Sequence, residues 1–230
     1  MATFGGSNTV TDGLVLWLDA ANRKSYPGSG TSWLDLSGNN NTGTLTNGPT
    51  FSSANNGSIV FDGVDDYVQL SNPTFTNQMT AEIFIKIDTS NIIEPTVASY
   101  VLGRESAYRM IASTTGFSWV CATTNNGWYT AGTAIGIEMP INNIWNHFVG
   151  TYDGTKNSLY VNGSLIVTGS AISGNIPLPG STLQLMNSTA ANVVDCKGTL
   201  AVTRMYNKAL SAQEVRQNYD ALKSRYLNIY

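Results

Sequence analysis

Acids and aromatics are sparse enough in this 230-residue sequence to be weighed one at a time. Cleaving a glycosidic bond takes two carboxyl groups flanking it. The nearest pattern is Glu82 and Asp88 on one predicted strand. Six residues of extended chain put them on one face but about 20 Å apart, beyond either glycosidase geometry. Glu105 and Glu138 stand alone, and polysaccharide cleavage is therefore the least supported activity. His147 is the single histidine, set in Trp145-Asn-His-Phe-Val149. With no Gly-x-Ser-x-Gly elbow in the sequence, a satisfied internal imidazole outweighs a catalytic triad. The sequence also lacks a glycine-rich phosphate loop and a His/Cys cluster suited to zinc.

Two oxygen-rich stretches could take a hard cation. Asp35 is followed by Asn39, Asn40 and Asn41, and Asp62 by Asp65 and Asp66. Asp35, Asn39, Asn41 and Asp62 are the candidate metal ligands, with calcium the candidate cofactor. Calcium wants six to eight oxygens, and the count here is short. The competing reading is favoured: Asp35-Leu-Ser-Gly38 and Asp62-Gly63 are turns whose side chains bond their own backbone. Sugar recognition needs aromatic faces beside amides. Asn125-Asn-Gly-Trp-Tyr129 is a turn-like loop of that kind, and Trp119 lies on the strand before it. Trp119, Asn125, Asn126, Trp128 and Tyr129 are thus the candidate carbohydrate contacts. Large aromatics are mostly buried, so for Trp128 and Tyr129 a core role stands equally beside a binding role. Trp17, Trp33 and Trp145 read as core.

The elements that must position these groups are short strands. Charged residues make up 12% of the chain, against about a quarter in ordinary domains. Asn, Thr, Ser and 22 Gly supply the polar surface instead, which suits many tight turns. Leu14 to Asp19, Ser58 to Phe61, Tyr67 to Leu70, Tyr100 to Gly103, Tyr108 to Ala112, Phe117 to Ala122 and Trp145 to Tyr152 read as strands. Thr182 to Met186 and Gly198 to Tyr206 complete them, while Ala21 to Thr50 is a polar stretch full of turn signals. From Ala81 to Asp88 the alternation is strict, with Ile83, Ile85 and Ile87 on one face and Glu82, Phe84 and Lys86 on the other. Leu159-Tyr-Val-Asn-Gly-Ser-Leu-Ile-Val167 predicts a hairpin on a type I′ turn at Asn162-Gly163. Ser211-Ala-Gln-Glu214 is a capping box, and Val215, Tyr219, Leu222 and Tyr226 follow at helical spacing. The expected organisation is an arm over 1–12, one all-β antiparallel sandwich over 13–210, and a helix and tail over 211–230 packed on the sandwich or on a neighbour.

The net charge is −3, with no basic run, so nucleic acid is not an expected partner. Residues 1–7 have neither a basic start nor an apolar stretch, so no signal peptide is expected. No apolar run approaches membrane-spanning length, so no membrane insertion is expected. Two distant cysteines are too few for a disulfide framework.

An ordered set of motifs carries a resemblance. It comprises Gly13-Leu-Val-Leu-Trp-Leu-Asp19, the stretch from Asp35 to Pro49, Ile59-Val-Phe-Asp-Gly-Val-Asp-Asp-Tyr-Val68, Trp145-Asn-His147, Thr151-Tyr-Asp-Gly154, Leu159-Tyr-Val-Asn-Gly163 and Met205-Tyr-Asn-Lys-Ala-Leu-Ser-Ala-Gln-Glu214. The chain resembles the laminin-G-like, concanavalin A-like lectin/glucanase superfamily over nearly its whole length. The resemblance implies a jelly-roll topology with the first and last strands paired. Many members carry two adjacent acids in the last strand that help bind calcium; here those positions are Ala201 and Val202. Leu18-Asp-Ala-Ala-Asn22, Ser25-Tyr-Pro-Gly28 and the tail from Gln217 to Tyr226 are similar to versions found in tailed-phage structural proteins. What this implies is a non-enzymatic virion component, a capsid decoration or fibre, located in the virion. Its expected partners are other virion proteins, copies of itself or a surface polysaccharide. The alternative is a free-standing carbohydrate-binding lectin module.

Overall fold

Ile83, Ile85 and Ile87 point into the main core, while Phe84 and Glu82 on the opposite face are equally buried. Both faces of this strand are therefore covered, one by a second sheet and the other by a helix. The computed structural model that shows this describes residues 8–92, 98–127, 134–187 and 193–226. In chain order the strands are β1 (Leu14–Asp19), β2 (Ser32–Trp33), β3 (Gly43–Thr46), β4 (Thr50–Ser52), β5 (Ser58–Phe61) and β6 (Tyr67–Leu70). Next come β7 (Met79–Ile87), β8 (Ala98–Arg104), β9 (Tyr108–Ala112), β10 (Gly116–Cys121), β11 (Ala134–Glu138) and β12 (Trp145–Tyr152). The last are β13 (Asn157–Val161), β14 (Ser164–Thr168), β15 (Leu183–Leu185), β16 (Val193–Asp195) and β17 (Gly198–Tyr206), followed by helix α1 (Ala212–Tyr226).

One sheet runs β14-β13-β12-β7-β17-β5-β4, with β1 also on β17; the other runs β11-β10-β9-β8-β15-β6-β3-β2. Among the described residues the named strands all pair antiparallel except β16, which joins β8 in parallel. Strand β17 lies along β7 on one side. Its other edge is shared end to end, with β5 on Gly198 to Leu200 and β1 on Val202 to Tyr206. The first and last strands are thus paired, and the all-β sandwich with one C-terminal helix is the observed fold. One apolar cluster fills the space between the sheets, drawing Leu16, Ile83, Phe148 and Leu159 from the first and Trp33, Val68, Met110 and Leu185 from the second. Cys121 and Cys196 are buried free thiols within it. The polar stretch 21–50 contributes β2 and β3, too short for an alternation to show in the sequence.

Asn162 and Gly163 both take positive φ, 50° and 78°, and join β13 to β14 in two residues, as the Asn-Gly pair predicts. Helix α1 starts at the capping box: Ser211 N donates to Glu214 Oε2 at 2.8 Å and Glu214 N to Ser211 Oγ at 3.3 Å. Its buried stripe is Val215, Asn218, Leu222 and Tyr226, which lies on the outer face of the first sheet. There Leu222 and Tyr226 meet Phe84, Ala201 and Val202, with Trp17, Trp145 and Tyr219 partly buried around them. Ala201 and Val202 are therefore floor for the helix, and small apolar side chains are what that packing requires.

Candidate functional site

Three polar constellations could do chemistry. The most deeply buried centres on Glu82, 1% exposed. Its Oε1 accepts from Arg204 Nη1 at 2.8 Å and faces His147 Nε2 at 2.9 Å; its Oε2 accepts from Asn218 Nδ2 at 2.7 Å. Burial pushes this carboxyl up, but the Arg204 charge, then His147 and Asn218, pull it further down, so it is held below the ordinary carboxylate value. The ring of His147 lies between Phe84 and Tyr219, with centroids 5.8 and 5.7 Å away. Arg204 continues to Thr9 Oγ1 at 3.1 Å, and Asn218 Oδ1 accepts from Val10 N at 2.9 Å. This is a clamp tying β7, β12 and β17 to α1 and to the arm ahead of β1. It is sealed from solvent and its one carboxylate is ion-paired, so it cannot flank a glycosidic bond.

The second constellation is acidic. Asp62, Asp65 and Asp66 bring carboxylate oxygens within 4.8 Å of one another. Asp66 Oδ2 accepts from Asp62 N at 3.1 Å, and Asp62 Oδ1 from Val64 N at 2.8 Å, so the same acids also shape the bend between β5 and β6. Burial, followed by Asp65, Asp62 and Asp66, pushes the carboxyl of Asp195 up to about 6. Such crowding of negative charge is chemistry that a hard cation would relieve, although three carboxylates supply only part of a calcium shell.

Asp35 stands outside this group. Its carboxylate accepts from Trp17 N, Ser37 N, Ser37 Oγ and Asn41 N at 2.8 to 2.9 Å. Four bonds fill its lone-pair sites. Asn39 and Asn41 donate their amides to the carbonyls of Leu14 and Val15. The structure thus places Asp35, Asn39 and Asn41 in a turn that anchors β1; of the four candidate ligands, Asp62 alone belongs to an acidic cluster among the described residues.

The third constellation follows β10. Thr123 Oγ1 donates to Ser173 O at 2.6 Å and accepts from Asn126 N at 3.0 Å. Asn126 Oδ1 accepts from Ser173 N at 3.0 Å, Asn125 Nδ2 donates to Ser173 Oγ at 3.2 Å, and Thr124 N donates to Asn175 O at 2.8 Å. Asn125 is exposed and Asn126 half-buried on this latch between two loops. Trp128 and Tyr129 lie outside the described residues. Trp119 does not join the loop's surface. It is fully buried, its indole N–H donates to Thr151 O at 3.3 Å, and its ring lies flat over Gly150, where any Cβ would strike it. Trp119 as a sugar contact is therefore corrected to core. Thr123, Ser173 and Asn175 are loop partners missed from the sequence; the turn signal Ser173-Gly174-Asn175 is the trace they leave there.

The family model for the concanavalin A-like lectin/glucanases superfamily (laminin G type) matches residues 62–216, more than half of the chain, and the chain belongs to that family. No curated protein matches the sequence. Among solved structures, the binding domain of Paraclostridial Mosquitocidal Protein 1 superposes with a TM-score of 0.70 at 16% identity, over 91% of this chain and 52% of that one. The botulinum neurotoxin serotype D binding domain gives 0.70 at 13% identity, over 93% and 53%. Domain 4 of an extracellular arabinanase from Geobacillus stearothermophilus, in complex with arabinotriose, gives 0.66 at 14% identity, over 90% and 98%. The chain spans about half the length of the toxin domains it matches. These similar structures share its lectin-like fold and are binding domains or a single domain of a larger enzyme.

Proposed function

We propose that the chain is a non-catalytic, lectin-like module that holds a polysaccharide through the loop 123–127 and the residues that follow it, Trp128 and Tyr129. The observation that carries this reading is the latch between that loop and 173–175. It fixes an exposed amide, Asn125, on a preorganised turn directly before two aromatics, and preorganised polar groups beside aromatic faces suit a shallow sugar site. The arabinanase domain, of matching extent and in complex with arabinotriose, supports the same class of ligand.

The setting we infer is a tailed-phage virion, as a capsid decoration or fibre component. The two segments that resemble phage proteins touch: Arg225 donates to both carboxylate oxygens of Asp19 at 3.0 and 2.8 Å, and Ser25 Oγ accepts from Asp19 N. Their joint presence in the sequence is then one packing unit, which favours this reading over two chance matches.

A polysaccharide and surface-glycan array, run in calcium and again in chelator, tests the binding. Trp128→Ala should abolish binding while leaving the melting temperature unchanged; undiminished binding removes this loop. Loss of wild-type binding in chelator would bring the Asp62 cluster into the site. Purified particles lacking the protein by mass spectrometry would overturn the virion setting.

A further inference from the structure

Asparagine followed by glycine is a chemically labile pair, because glycine has no side chain to shield its backbone nitrogen from the neighbouring carboxamide. The chain has four such pairs, beginning at Asn47, Asn56, Asn126 and Asn162. The fold restrains three of them. Asn162 Oδ1 accepts from His147 N at 2.9 Å and its Nδ2 donates to Asn146 Oδ1 at 3.1 Å, so both ends of its carboxamide are held. Asn126 Oδ1 accepts from Ser173 N at 3.0 Å, and Asn126 O accepts from Thr123 N at 2.8 Å. Beside Asn56 it is the attacking nitrogen that is tied. Gly57 N donates to Ala54 O at 3.1 Å, and Gly57 is buried against the backbone of Ala20 and Ala21. The fourth pair differs. Asn47 and Gly48 are both exposed, and Gly48 N has no hydrogen-bond partner among the described residues. The tie on the Asn47 carboxamide is an exposed bond from Nδ2 to Asp65 O at 2.9 Å.

We propose that Asn47 is a modification site, converted in the folded chain to aspartate and isoaspartate without an enzyme, and that the new carboxylate adds to the acidic cluster at the β5–β6 bend. Gly48 N attacks Asn47 Cγ, and the bond from Cγ to Nδ2 breaks. The proton from Gly48 N, carried by solvent, leaves with Nδ2 as ammonia. Water then opens the resulting five-membered imide. Opening at the side-chain carbonyl gives aspartate, and opening at the main-chain carbonyl gives isoaspartate. The position gives this change its effect. Residues 47–49 carry the chain from β3 in the second sheet to β4 in the first. Isoaspartate lengthens the main chain at that crossing by one methylene. Either product puts an acceptor where a donor faced Asp65 O, so that bond is lost. The added charge arrives where Asp62, Asp65 and Asp66 already crowd one another, and a Cβ on Gly48 would lie 3.9 Å from Asp66 Oδ1. The latch that holds Asn126 spares the loop 123–127 the same fate.

The test ages the full chain in warm, mildly alkaline buffer and maps its peptides by tandem mass spectrometry. The gain of a single mass unit that marks ammonia exchanged for water should accumulate at Asn47 at least about tenfold faster than at Asn56, Asn126 or Asn162. In urea the four sites should convert at similar rates, which assigns the selection to the fold. Asn47→Gln should abolish the gain, because glutamine has to close a larger and slower ring. An isoaspartate-specific carboxyl methyltransferase should label the aged wild type and leave aged Asn47→Gln unlabelled. Asn47→Asp should melt below wild type at neutral pH in low salt, and the gap should narrow in high salt, which screens the carboxylates. A faster gain in the folded chain at any of the other three pairs, or none at Asn47 while the chain in urea converts, would overturn the modification. An Asn47→Asp variant as stable as wild type in low salt would overturn its link to the acidic cluster.

Discussion

Asp195 sits at the end of a short strand where three other carboxylates already face one another. Its carboxyl titrates at about 6 in the fold against an ordinary 3.8, so the folded chain holds that proton more tightly than the unfolded chain does. The sign follows by linkage: the stabilising contribution is complete below about pH 4 and is lost as pH rises through about 6. Asp66, raised in the same direction first by burial and then by Asp62 and Asp65, adds to the effect. Asp195→Asn should therefore raise the melting temperature at pH 7 and leave it nearly unchanged at pH 4. Calorimetry at both values checks this, and a larger gain at the acid end would contradict it. Single residues were also the least legible scale. Nothing in the one-dimensional pattern separates Trp119, flat against Gly150 in the core, from an aromatic that faces solvent, because the distinction is made by a glycine thirty-one positions away. Asp35 is similar: its residue type suits a metal ligand or a turn, and only its four donors decide.

Strand β7 and helix α1 depend on each other through Glu82. Removing its charge leaves Arg204, itself fully buried, without a counter-ion, and breaking a buried pair in this way costs about 3–5 kcal/mol. Glu82→Gln should lower stability by that order in urea denaturation at neutral pH. Because the carboxyl is held below its ordinary value, the wild-type advantage is present above about pH 4.3 and is lost as pH falls through the folded value. A variant as stable as wild type at neutral pH would show that α1 is held by its apolar stripe alone. At this scale the sequence was readable wherever local chemistry fixes the element. The Asn162-Gly163 hairpin, the Ser211 capping box and the alternation around Ile83 each stand where the residues place them. Strands β2, β3 and β4 were not readable, because they lie in or beside a polar stretch crowded with turn signals, and β11 and β16 also carry no local mark that the sequence reading used. They are strands because a neighbour such as β6 offers them partners.

One apolar cluster serves both sheets, so neither can lose its packing without exposing the other. Unfolding in denaturant should accordingly be a single transition, with tryptophan fluorescence and far-UV circular dichroism superimposing. Two separated midpoints would mean that the sheets are independent units. That the chain makes a sandwich could be read from many short strands and frequent turns, but the strand order could not. It rests on pairings such as β17 with β7 and β1, which join residues more than a hundred positions apart and leave no local mark. The same pairing has a mechanical meaning. Strands β1 and β17 are antiparallel with Leu14 opposite Tyr206, so tension between the two ends of the described chain reaches this ladder at its tip and would peel it one hydrogen bond at a time. A ladder peeled in sequence resists far less than one sheared all at once. What stands in the way is a set of ties across the opening, among them Lys208 to Asp12, Asn218 to Val10 and Arg204 to Thr9. In a molecule pulled by both ends, contacts of this kind, rather than the large core behind them, would set the force at which it gives way.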